Sequence, residues 1–202
     1  MVVARIGVTM HRRRFLAACG TGVTALAGCT APVVDDGTTD PSASVTNPGF
    51  ESGLRGWLVG RDLPTDPNTG LPVESSARIV DDPVAGGDAA LQFAIDGGQD
   101  DGTIWAQQAV LLDGTDTLSV SVHSPEESFN TLTKLAAYAG PRPERGWLRE
   151  GDFDTERAIE DHAGWERVEY DVSGEGEGIV AVGVSVVWET EVARTIDDVS
   201  LS

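Results

Sequence analysis

Apolar and polar residues alternate along most of this chain, in short runs broken by Gly, Pro and Asp. A period of two puts one face of a strand against a core and the other toward water. Leu118, Val120 and Val122 alternate with Thr117, Ser119, Ser121 and His123, and Val180, Val182, Val184 and Val186 repeat the pattern before Trp188. On this pattern strands are predicted at 75–80, 89–95, 103–112, 117–123, 132–139, 165–172, 178–188 and 194–201, with short pieces near 44–46 and 56–59. The one helical candidate is 154–162, where Ala158 and Ile159 sit among charges. Some ten short strands in one domain imply an all-β fold of two packed antiparallel sheets.

The beginning of the chain obeys a different pattern. His11-Arg12-Arg13-Arg14 precedes an uncharged run, 15–28, rich in Ala, Gly and Thr. That run is too short to span a bilayer, which needs about 20 apolar residues. A basic cluster followed by a short apolar run ending in small residues is the layout of an export signal. Arg12, Arg13 and Arg14 followed by Phe15-Leu16 resemble a twin-arginine (Tat) signal. Leu26-Ala27-Gly28-Cys29 resembles the lipobox of bacterial and archaeal lipoproteins, which implies cleavage before Cys29 and a lipid on its sulfur. Met10, just ahead of the basic cluster, is an alternative start. The expected organisation is a signal over 1–28, the lipidated Cys29 with a flexible polar spacer to 43, and one domain over 44–202. The expected location is the extracellular face of the cell membrane, held there by the lipid alone.

Charge narrows the picture. The chain carries 14 basic and 33 acidic residues. Residues 1–28 hold four of the arginines and no acid, so the remaining 174 residues carry a net charge near −23. Lys134 is the sole lysine. An acidic surface nearly devoid of lysine resembles a haloarchaeal protein, in which molar salt shortens the Debye length to about 3 Å and screens the self-repulsion. Nucleic acid is excluded as a partner, because phosphate recognition needs a basic footprint. With Cys19 in the signal and Cys29 lipidated, no cysteine is left for a disulfide or a thiolate zinc site.

Three segments then carry a family resemblance. Asn47-Pro48-Gly49-Phe50-Glu51-Ser52-Gly53-Leu54-Arg55-Gly56-Trp57 is similar to the opening of CenC-like carbohydrate-binding modules of the galactose-binding-domain-like group. Trp165-Glu166-Arg167-Val168-Glu169-Tyr170-Asp171-Val172 resembles their penultimate region, and Ile196-Asp197-Asp198-Val199-Ser200-Leu201 their closing strand. The resemblance implies a jelly-roll β-sandwich and a glycan or cell-surface polysaccharide as partner. It also implies a structural Ca²⁺ near the meeting chain ends, with Glu51 and Asp197 as oxygen donors and Asp198 beside them. Hard oxygen ligands suit calcium, which takes six to eight.

Sugar-binding sandwiches present aromatic faces on a sheet or loop, with polar neighbours to pair the hydroxyls. If Val110 and Leu112 face inward, Trp105 and Gln107 face outward; if Leu135 and Ala137 face inward, Lys134 and Tyr138 face outward. Ser121 and His123 are expected beside them on a neighbouring strand. Trp147, in the loop 141–151 with Arg142, Arg145 and Arg149, completes the expected ligand surface of Trp105, Gln107, Tyr138 and Trp147. Trp165 and Trp188 are assigned to the core, where an aromatic in a sandwich more often sits.

Nothing in the sequence points to catalysis. There is no Gly-x-Ser-x-Gly elbow, His-Glu-x-x-His or phosphate-binding glycine loop. Acid pairs such as Asp81-Asp82 and Asp100-Asp101 are expected by chance among so many acids, and glycosidase carboxylates must converge in space. The expected function is non-catalytic glycan binding at the cell surface. Its rivals are a structural or protein-interaction domain that kept the fold without sugar binding, and a hydrolase with two carboxylates in a cleft.

Overall fold

The computed structural model describes residues 42, 44–96, 101–125, 133–159, 162–187 and 191–202. Arg12, Arg13, Arg14, Cys29 and Trp188 lie outside the described residues.

The alternating runs form nine strands: β1 (Leu58–Asp62), β2 (Ser75–Val80), β3 (Ala90–Ile95), β4 (Thr103–Leu111), β5 (Thr117–Ser124), β6 (Thr133–Pro141), β7 (Gly164–Asp171), β8 (Glu177–Val186) and β9 (Val192–Leu201). They pair antiparallel throughout, into a four-stranded sheet of order β1-β4-β8-β6 and a five-stranded sheet of order β2-β3-β9-β5-β7. Ile104, Ala106 and Val110 of β4 and Val180, Val182, Val184 and Val186 of β8 face Leu91, Phe93, Leu118, Val120, Val122 and Ile196 across one core. The predicted all-β sandwich of two antiparallel sheets is the observed fold.

Two local expectations change. The helical candidate 154–162 is extended over its described part: Asp154 pairs with Ala137 and Ala158 with Lys134, so the segment runs beside β6. Its backbone gains more from the open edge of β6 than a short charged helix would supply. Among the described residues the helical turn is the single one at Glu150–Asp152. The piece near 44–46 forms no strand, but Ser42, expected in the spacer, already bridges Val110 and accepts the Leu111 N–H at 2.8 Å.

The opening motif is a folded loop with a structural task. Asn47 and Phe50 hold φ of 54° and 57°, and Gly53 and Gly56 hold 66° and 85°. Asparagine tolerates this left-handed region better than most side chains, and glycine carries no penalty there. The Asn47 amide donates to Gly53 O at 2.8 Å and Arg55 O at 3.2 Å, while its oxygen accepts the Ser52 N–H at 3.0 Å. Trp57 Nε1 donates to Asn47 O at 3.0 Å, and the Phe50 and Trp57 rings meet at 5.3 Å over one end of the core. Val199 N–H donates to Pro48 O, fastening the loop to β9. Asn47→Ala removes three hydrogen bonds and leaves alanine in the left-handed region. It is expected to cost about 2–3 kcal/mol, read as a lower denaturant midpoint in molar salt; an unchanged midpoint would show that the loop is not held by this amide.

Candidate functional site

The outer face of the four-stranded sheet is where the predicted ligand residues lie, and the structure covers most of it. Trp105 points out of the sheet as its parity requires, yet it is only 3% exposed. The connection from β6 to β7 folds back over the sheet and seals a second apolar cluster of Trp105, Ala136, Leu148, Phe153, Ile179 and Ala181, with Tyr138 against it. Trp105 and Phe153 rings lie 5.0 Å apart. The cross-strand partner of Trp105 on β1 is Gly60, where a Cβ would stand 2.2 Å from the indole. Only a glycine lets the ring lie flat there. Gln107, half-buried, spends its oxygen on Trp105 Nε1 at 2.7 Å, and the Tyr138 hydroxyl donates to Pro141 O. Trp105, Gln107 and Tyr138 are thus gathered as expected, but Trp105 is the centre of a small core rather than an exposed platform. A strand pattern reports the face of a residue and is silent on what later folds over that face. Trp147 alone stands out, 57% exposed.

His123 and Ser121 do not join this surface. β5 belongs to the five-stranded sheet, between β9 and β7. On the outer face of that sheet the register lines up one row across all five strands: Arg78, Gln92, Thr195, His123 and Trp165. Side-chain contacts join the row in two stretches, Arg78 to Thr195 and His123 to Trp165. Arg78 Nε and Nη2 donate to Gln92 Oε1 at 2.9 and 2.6 Å, and Gln92 Nε2 reaches Thr195 Oγ1 at 3.5 Å. The His123 and Trp165 rings meet edge to face at 5.2 Å. Beside the row, Ser76, Ala94 and Ala193 make a floor of small side chains. Burial, followed by the charge of nearby His162, holds the His123 imidazole below its ordinary pKa. The ring is neutral at neutral pH, with one donor and one acceptor nitrogen.

Trp165 is therefore a correction: it is half-buried on an outer face, not in the core. Its position was readable. Val168 and Tyr170 of β7 face the core, so alternation sends Trp165, Arg167 and Glu169 outward.

The acidic residues near the chain ends also converge. Asp197 Oδ1, Glu51 Oε1 and Asp198 Oδ1 lie 3.4, 3.9 and 4.0 Å from where a Cβ on Gly49 would stand. Asp197 is fully buried, and its Oδ2 accepts the N–H groups of Ala85 and Gly86 at 2.8 and 3.1 Å. Glu51 Oε1 accepts those of Asp88 and Ala89 at 2.9 and 3.3 Å. Burial pushes the Asp197 pKa up against these backbone donors, and Asp198 adds to the push. The oxygen donors suit a hard cation in kind. Among the described residues, however, no three acid, imidazole or thiol side chains are close enough to hold a metal as they stand.

The sequence matches no protein-family model and no curated protein. Among solved structures, the fold is similar to one determined in a study of promiscuous specificity in carbohydrate-binding modules of the β-sandwich superfamily. The two share 11% identity over 76% of this chain and 60% of that one, with a TM-score of 0.53. A family 11 carbohydrate-binding module from Clostridium thermocellum, in complex with a β-1,3-1,4-mixed-linked tetrasaccharide, aligns over 78% of this chain and 94% of its own at 13% identity and TM-score 0.48. The enzymatically active domain of a bacteriophage tailspike protein aligns over 78% and 21% at 8% identity and TM-score 0.47. What is shared is the fold, a β-sandwich of two antiparallel sheets.

Proposed function

We propose that this protein is a non-catalytic glycan-binding module whose ligand lies on the outer face of the five-stranded sheet. The observation that carries the reading is the row from Arg78 to Trp165, with an aromatic pair at one end, the Gln92 amide and the Arg78 guanidinium at the other, and Thr195 buried between them. An indole face offers apolar contact to a sugar ring, and the polar groups pair with its hydroxyls. A glycan-array screen in molar KCl with calcium tests it. Binding to at least one glycan class is expected; a folded protein that binds none would favour the structural or protein-interaction role.

The reading extends to location and metal. Residues 1–28 act as a Tat export signal, and Cys29 carries the lipid that holds the domain at the outer membrane face. Cys29→Ser is expected to move the protein from the membrane fraction to the medium, and continued membrane retention would refute the anchor. Calcium at Glu51 and Asp197, with Asp198 and backbone carbonyls completing the shell, would neutralise a buried carboxylate. Saturating calcium at about 100 times its Kd should add about 2.7 kcal/mol, read as a higher melting temperature than in chelator. Equal melting temperatures would exclude the site.

A further inference from the structure

The chain has three histidines, His11 in the expected signal and His123 and His162 in the domain. The two in the domain converge at the aromatic end of the row. His123 stands ring to ring with Trp165 at 5.2 Å. His162, on the connection into β7, is close enough for its charge to act on His123. Its Nδ1 lies 3.2 Å from Oε2 of Glu166, the residue after Trp165. An imidazole is the side chain that ordinarily changes charge between about pH 5 and 8, and both of those in the domain sit where the sugar is read to bind.

The surroundings favour the neutral form of His123. The ring is already half-buried, and loss of water is the largest influence on its charge. The connection into β7 brings His162 and β9 brings Arg194, both of which oppose a positive charge; the loop after β2 brings Asp82, which favours one. From β7 the ring meets the uncharged Trp165, while Glu166 faces His162. A ligand laid over the ring removes more of its water. An uncharged sugar supplies hydroxyls but no counter-ion, so covering an imidazolium costs more than covering an imidazole. The neutral ring also keeps an acceptor nitrogen, which the imidazolium lacks. A uronate would act in the opposite sense, since its negative charge would hold the proton in place.

We propose that the sugar ring bound at the Trp165 end of the face is uncharged and covers His123, so that glycan binding is coupled to loss of a proton and weakens in acid. The inference rests on the sheet-face reading and adds to it the charge of the ligand and a dependence on pH. By linkage, affinity is full while His123 is neutral in the free protein and falls as the pH drops through its titration. Salt leaves most of the effect in place, because a charge buried under a ligand is screened far less than an exposed one.

The test is calorimetric titration with cellohexaose, xylohexaose, mannohexaose and oligogalacturonate in molar KCl, on the wild type and His123→Gln, with folding checked by circular dichroism at each pH. At least one neutral hexaose should bind the wild type, and at least about threefold more weakly at about pH 5 than at about pH 7.5. In His123→Gln, whose amide keeps a donor and an acceptor but takes no proton, the two affinities should agree within about twofold. In the wild type, the NMR titration midpoint of the His123 ring should fall when the hexaose is added, which reads the coupling even if the variant does not fold. Equal affinity at both pH values, the same acid loss in His123→Gln, or tighter binding in acid would each overturn the proposal and leave the glycan-binding reading standing. Binding of the galacturonate alone would do the same. Binding of none of the four would overturn the proposal, and a glycan array without a hit would sink the glycan-binding reading with it.

Discussion

Trp105→Ala should destabilise the domain by about 3–5 kcal/mol, the usual range for removing a buried large aromatic. The indole is 3% exposed, rests over Gly60, meets Phe153 at 5.0 Å and donates to Gln107. Its loss would leave a cavity under the β6–β7 connection that Leu148 and Phe153 cannot fill without lifting the loop off the sheet. Denaturant unfolding in molar salt gives the value directly. Gly60→Ala should reproduce part of the loss, since the added methyl would stand 2.2 Å from the ring. Trp147→Ala, at a position 57% exposed, should stay within about 0.5 kcal/mol of wild type. The opposite pattern, a stable Trp105→Ala with weakened glycan binding, would restore Trp105 as a sugar platform and discard the covering loop.

Trp165→Ala should weaken binding of whichever glycan the array selects by about 30-fold. That corresponds to about 2 kcal/mol, the level at which an aromatic anchor counts as a hot spot. Stability should change far less than in Trp105→Ala, because Trp165 sits half-buried on an edge strand, with its ring against His123. Calorimetric titration of the folded variant separates the two effects. Unchanged affinity would move the ligand off this face. Arg78→Ala offers an independent check at the other end of the row: it removes the two bonds to Gln92 and should also weaken binding if the glycan spans the sheet.

Much of the architecture could be read from the chain alone. Alternation of Leu118, Val120 and Val122, and of the four valines of β8, placed those strands and their inner faces, because strand parity is a property of neighbouring residues. The outward turn of Trp105 and Tyr138 followed from the same rule.

Other features depended on contacts between distant parts of the chain. That β5 pairs with β9 and β7, and so carries His123 away from Tyr138, is a matter of sheet order, which local periodicity does not contain. The segment 154–159 is extended because β6 leaves an edge open to it, not because its own residues favour a strand. Trp165 shows the boundary between the two kinds of information. Its outward face was already written in the alternation with Val168 and Tyr170, but its place in a row with Arg78, Gln92, Thr195 and His123 exists only once five strands are in register. The sequence by itself determined which residues form strands and which side of each strand is apolar. The tertiary structure decided which outward faces stay open to a ligand, because a covering loop or a neighbouring strand is supplied from elsewhere in the chain.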